Sequence, residues 1–167
     1  MKKYSHNSYW CKDPIISALR EGLNAVEADI IFVGGKIMCS HGWRPFKSWC
    51  HGSLEEVFLK PLLDLAESGK EMVLIIEPKS IRKGMMKKLY NLLHYYAHYN
   101  LKLIIGCQYK LFWQHKRLVW LYDFNLMCKK YGWAVEIPDK RLYTEYHKQV
   151  DLFPEYGFIK RILKNQF

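Results

Sequence analysis

Glu27 and Asp29 stand two residues apart in a stretch, Ala25 to Val33, whose other members are apolar. In a strand, that spacing sends both carboxylates to one face, while Val26, Ala28, Ile30 and Phe32 fall on the other. Two like charges held together on a covered face are costly without a cation. Oxygen ligands of this kind suit magnesium or calcium, so the pair is a candidate divalent-metal site. A strand whose acids simply face water is the plainer reading of the pair taken alone. His6 closes the stretch before this strand, and His41 closes the stretch after it. Beside a metal, two imidazoles can divide proton transfer, one as base and one as acid, because each titrates near neutral pH.

The elements that must position these groups are read from periodicity. Short apolar runs alternate with amphipathic stretches, which predicts an α/β chain with parallel strands. Lys2 to Ser5 reads as a short strand ending at His6-Asn7. Asp13 is placed to cap a helix opened by Pro14, with Ile15, Ile16, Leu19 and Leu23 at helical spacing and Gly22 as its stop. Gly34-Gly35 predicts a hairpin turn, with Lys36 to Ser40 as the returning arm. Ser53-Leu54-Glu55-Glu56 has the form of a capping box before a helix whose apolar face is Leu54, Val57, Phe58 and Leu62. Met72 to Ile76 reads as a strand buried on both faces, ending at Glu77-Pro78-Lys79. Further along, Lys83 to Tyr99 and Leu118 to Tyr131 read as helices, and Leu101 to Ile105 and Trp133 to Ile137 as strands.

The order of these motifs carries a resemblance. Ser5-His6-Asn7-Ser8-Tyr9, then Gly22-Leu23-Asn24-Ala25-Val26-Glu27-Ala28-Asp29, then Ser40-His41-Gly42, then Leu74-Ile75-Ile76-Glu77-Pro78-Lys79 resembles the phospholipase-C-like phosphodiesterase superfamily. That group includes glycerophosphodiester phosphodiesterases and phosphatidylinositol-specific phospholipases C. Asn7 stands where glycerophosphodiester phosphodiesterases usually carry an arginine, so the run is closer to the phosphatidylinositol-specific type or to less characterised relatives. The resemblance spans roughly residues 4 to 80. It implies a TIM-type (β/α) barrel, and the 167 residues imply one shortened or incomplete relative to eight units. It implies a single domain of this type over residues 1–167. It implies His6 and His41 as the general acid-base pair, Glu27, Asp29 and Glu77 as ligands of Mg2+ or Ca2+, and Asn7 and Lys79 as substrate contacts. The expected activity is metal-dependent hydrolysis of a glycerophosphodiester or phospholipid-like phosphoric diester. The alternative is a non-catalytic truncated barrel that binds an anionic ligand or lipid head group.

Composition bounds the partners. The formal charge of +10 favours anionic ones: a small phosphodiester, a lipid head group, or peripheral contact with an anionic membrane. The lysines and arginines are scattered, so no specific nucleic-acid partner is expected. No apolar run reaches the roughly 18 residues that span a bilayer, and the N-terminus lacks the apolar stretch of a signal peptide, so a cytoplasmic location is expected. Five cysteines with no C-x-x-C pair read as reduced thiols. Trp43, Phe46 and Trp49 after His41 could rim a lipid site or cap a barrel. His94 and His98 lie one helical turn apart, a spacing used by some metal sites, and without a matching acid they read as helix surface.

Overall fold

A computed structural model describes residues 4–5, 8–42, 50–79, 84–99, 101–106, 130–131 and 134–136 of the chain. Six strands and three helices lie among them: β1 (Tyr4–Ser5), α1 (Pro14–Arg20), β2 (Ala25–Val33), β3 (Lys36–Cys39), α2 (Lys60–Glu67), β4 (Val73–Pro78), α3 (Met85–Tyr96), β5 (Lys102–Gly106) and β6 (Ala134–Glu136). A π-helical turn, Glu55–Leu59, leads into α2, and a 3-10 turn, Ala97–Tyr99, follows α3.

Local chemistry accounts for most boundaries. Pro14 takes the first turn of α1, where its missing N–H costs nothing. Asp13 makes no side-chain cap, against expectation; its carbonyl instead accepts the Ser17 N–H at 2.9 Å. Gly22, at φ +71°, ends the helix: Leu23 N–H reaches Ala18 O at 2.8 Å and Gly22 N–H reaches Leu19 O at 3.0 Å, the paired bonds of a Schellman motif. The capping box at Ser53 is formed: Glu56 N–H donates to Ser53 Oγ at 3.2 Å, and Ser53 Oγ donates to the Glu56 carboxylate at 2.8 Å.

The strands form one mixed sheet in the order β1-β2-β4-β5-β6, all parallel, with β3 antiparallel on β2. Ile30 pairs with Pro78 of β4 on one edge and Cys39 of β3 on the other. Ala25 pairs with Tyr4 of β1 opposite Val73 of β4. β1 and β3 therefore follow one another along the same edge of β2. Val26, Ala28 and Ile30, Leu74 and Ile76, and Leu103 and Ile105 join one buried cluster with Ile15 and Ala18 of α1, Phe58 to Leu65 around α2, and Leu89, Leu93 and Tyr96 of α3. All three helices thus cover the same face of the sheet. Ala25, Ile75 and Ile104 form a smaller cluster on the other face.

This arrangement corrects the expected TIM-type barrel. A barrel closes when its end strands pair, at about eight strands in this fold type. The described residues supply five parallel strands in an open path, and no pairing joins β6 to β1 among them. The Leu74-Ile75-Ile76-Glu77-Pro78 run ends a strand of this open sheet, and β6 pairs directly with β5. The strand expected over Trp133 to Ile137 is Ala134–Glu136, and the helix expected over Lys83 to Tyr99 is α3 with its 3-10 turn. Of the helix expected over Leu118 to Tyr131, only Lys130 and Tyr131 are described, and both are helical. Trp43, Phe46 and Trp49 lie outside the described residues.

Gly52 holds the segment beside β3 in place. Its carbonyl accepts the Cys39 N–H at 2.8 Å, its φ is +110°, and a Cβ there would meet Val57 Cγ2 at 2.6 Å. Gly52→Ala is expected to destabilise the protein by about 1–3 kcal/mol, and more than Gly35→Ala, whose φ is also positive but whose Cβ would meet nothing within 4 Å. Equal urea midpoints for the two variants would contradict this account. The Ser53 bonds hold the Glu56 carboxyl below its usual range. A carboxyl depressed in the folded state stabilises above its unfolded pKa and loses that contribution as pH falls through its folded one. Ser53→Ala is therefore expected to cost about 1 kcal/mol near pH 7, with the difference from wild type shrinking in urea titrations as the pH is lowered through the carboxylate range.

Candidate active site

Asp29 and Glu77 are directly opposed across β2 and β4, and Glu27 sits two residues earlier on the same face of β2. Their carboxylates are all buried, and one oxygen from each lies within 4.8 Å of the others. The strands bring them together because parallel pairing aligns the ends of β2 and β4, while period-2 alternation sends all three side chains away from the helix-covered face. Lys79 N–H continues the ladder by donating to Ile30 O at 2.8 Å.

Asp29 is the hub. Its Oδ2 accepts from Tyr9 OH at 3.0 Å and lies 2.7 Å from His41 Nδ1. Its Oδ1 lies 3.1 Å from Lys79 Nζ, as an ion pair rather than an aligned hydrogen bond. Lys79 Nζ also lies 3.2 Å from Glu77 Oε2, so one ammonium bridges two of the three acids. The hairpin explains how His41 arrives. Pairing of Ile30 with Cys39 sets Ser40 beside Asp29, whose carbonyl accepts the Ser40 N–H at 2.9 Å, and Ser40 Oγ then donates to Gly42 O at 2.9 Å. The His41 side chain is 61% exposed while Asp29 has no exposure. With Nδ1 on Asp29, the His41 ring is oriented so that Nε2 is its nitrogen on the side away from that carboxylate. Burial pushes the Tyr9 phenol far above its usual range, and the negative Asp29 beside it pushes the same way, so Tyr9 stays a donor.

The donor set fits a hard divalent ion. Three carboxylates against one lysine leave a net negative buried cluster, which a cation would relieve. Oxygens around one Mg2+ or Ca2+, at about 2.1 to 2.4 Å from it, span at most about 4.2 to 4.8 Å across the ion, close to the spread seen here. The cluster of Glu27, Asp29 and Glu77 could therefore hold a metal ion. Among the described residues no other group of three or more His, Cys, Asp or Glu ligand atoms does so. Cys39 belongs to the helix-side core, where burial pushes its thiol up, and Cys50 packs on the separate cluster of Ile31, Val33 and Met38.

Five of the residues singled out from sequence thus meet at one place: Glu27, Asp29, His41, Glu77 and Lys79. His6 and Asn7 lie outside the described residues. Sequence reasoning assigned no role to Tyr9, although it belongs to the His6-Asn7-Ser8-Tyr9 run. Nor did it single out His51, whose ring lies 5.3 Å from Tyr9 and 4.5 Å from Trp10, centroid to centroid. These contacts have no signature in residue spacing, because each joins the 3-10 turn Ser8–Trp10 to an element far along the chain.

The family described as the AIM6-like phosphodiesterase domain matches residues 1–92. That span runs from β1 into α3 and contains every candidate residue, His6, Asn7, Glu27, Asp29, His41, Glu77 and Lys79. No curated protein and no solved structure matches the chain. With more than half of its 167 residues matched, the chain belongs to the AIM6-like phosphodiesterase domain family.

Proposed function

We propose that this site hydrolyses a phosphoric diester of the glycerophosphodiester or phospholipid type with a bound divalent metal ion, as the likeness to the phospholipase-C-like superfamily implies. The observation that carries the reading is Asp29, which joins the buried acid cluster to an exposed histidine through a single carboxylate. A carboxylate that orients an imidazole beside a cation-binding cluster is the arrangement a metal-assisted acid-base reaction needs. A bound ion would offset the charge on the phosphoryl oxygens as the ester bond breaks.

The residues of this chain then have separate tasks. Glu27, Asp29 and Glu77 supply the hard oxygens, with Asp29 Oδ1 as the oxygen that His41 and Tyr9 leave available. Asp29 Oδ2 holds His41 Nδ1, and His41 Nε2 carries the transferred proton. His6 is the partner in proton transfer and Asn7 a substrate contact. Lys79, whose ammonium lies 3.1 Å from Asp29 Oδ1 and 3.2 Å from Glu77 Oε2, holds a phosphate oxygen in this reading. Tyr9 holds Asp29 Oδ2 by its hydroxyl and, being protonated, adds no negative charge of its own. The formal charge of +10 supports contact with an anionic membrane where a lipid substrate would be met.

Hydrolysis of bis-(p-nitrophenyl) phosphate and of glycerophosphocholine, with and without EDTA, tests the reading. EDTA is expected to abolish turnover, and His41→Ala to lower kcat by about 10²–10⁴-fold. Turnover that survives both would sink the mechanism. Tyr9→Phe is expected to cost about 1.5–3 kcal/mol in unfolding free energy, the range for a hydrogen bond to a charged group, and to lower kcat more than it raises KM because it loosens the carboxylate that aims His41. A Tyr9→Phe enzyme with wild-type stability and kcat would remove Tyr9 from the site.

A further inference from the structure

A second group of ligating side chains lies on α3 and the turn after it, away from the carboxylates in sequence and different in donor type. His94 and His98 are both exposed and their ring centroids are 6.1 Å apart, with planes at 66°. Tyr131 packs against both rings, 5.8 Å from His94 and 6.3 Å from His98, and its hydroxyl lies 2.9 Å from His94 Nδ1. Tyr90 stacks on His94 from the preceding turn, at 6.0 Å and 7°. The His94 ring is therefore held on two sides.

We propose that His94 and His98 form a metal site of their own, for a borderline transition ion such as zinc, nickel or copper(II). Imidazole suits these ions, and the carboxylate trio suits harder ones. Two imidazoles bound to one ion at about 2.0–2.1 Å, at tetrahedral or cis-octahedral angles, place their centroids about 4.5 to 5 Å apart, so the two rings, now 6.1 Å apart, close by about 1 Å on binding. The tyrosine supplies the second requirement of such a site. A ligating histidine is normally fixed by a hydrogen bond from its other ring nitrogen. In the tautomer with the proton on Nδ1, His94 donates to the Tyr131 oxygen at 2.9 Å, which would be that bond and would leave Nε2 of His94 as the ligand atom. Water completes the coordination. Lys130, whose ammonium lies 5.2 Å from the Tyr131 ring centroid, opposes a cation here, but it is exposed and screened by solvent.

The test is calorimetric titration of the full chain with Ni2+ in chelator-free buffer, with Mg2+ in excess to occupy the carboxylates. His94→Gln and His98→Gln are each expected to weaken nickel binding by at least about tenfold, and Tyr131→Phe by about tenfold through the lost support. Glu77→Gln is expected to leave nickel binding unchanged, which separates this site from the carboxylate cluster. Circular dichroism of each variant should match wild type, because both histidines are exposed. Wild type that takes up no nickel, or nickel binding that both histidine variants leave unchanged, overturns the proposal.

Discussion

Three carboxylates brought within 4.8 Å of one another at a buried sheet face impose the constraint on which the surroundings depend. Each would be ionised in water, and each loses that solvation on folding. The structure answers with an ammonium that bridges Asp29 and Glu77, and with an imidazole and a phenol that converge on the second oxygen of Asp29. A lysine buried to this degree is itself costly unless it meets acids. Lys79 and the acids therefore stabilise one another, and a metal ion would complete what one lysine only begins.

The sheet makes this cluster possible by separating two jobs between its faces. Residues of one parity in β2, β4 and β5 bind the three helices and give the chain its core. Residues of the other parity hold a small apolar cluster and then the acids. A one-residue slip of β2 would send Glu27 and Asp29 into the helix-side core, and a slip of β4 would send Glu77 there, so the packing of Val26, Ala28, Ile30, Leu74 and Ile76 also secures the position of the site. The antiparallel arm β3 adds the histidine. It doubles back on β2 at the point where β1 ends, and so delivers His41 to the carboxylate of a residue twelve positions earlier.

The two proposed sites give the described residues two kinds of cation environment. The sheet offers clustered carboxylates with little solvent, suited to a hard ion. The end of α3 offers exposed imidazoles steadied by a tyrosine, suited to a softer one. Both depend on a neighbour that fixes the orientation of a histidine: Asp29 for His41 and Tyr131 for His94.

Much of this was legible in residue order. The Glu27 and Asp29 spacing determined that both acids share a face, whatever the tertiary fold, because side-chain alternation is a property of any strand. Gly34-Gly35 announced the hairpin, Pro14 and Gly22 the bounds of α1, and Ser53 with Glu56 the cap before α2, since turns and caps are local hydrogen-bond patterns. Closure of the sheet was not legible. Strand order and the pairing of end strands are set by contacts between distant segments, and the barrel expected from family likeness gave way to an open sheet among the described residues. Nor could spacing show that Asp29 faces His41, Tyr9 and Lys79 at once, or that Tyr131 reaches His94 across 37 residues. The sequence by itself determined which side chains could do chemistry and on which face of their own element they lie. Only the tertiary structure decided which of them meet, because the distances between them depend on how separate elements pack.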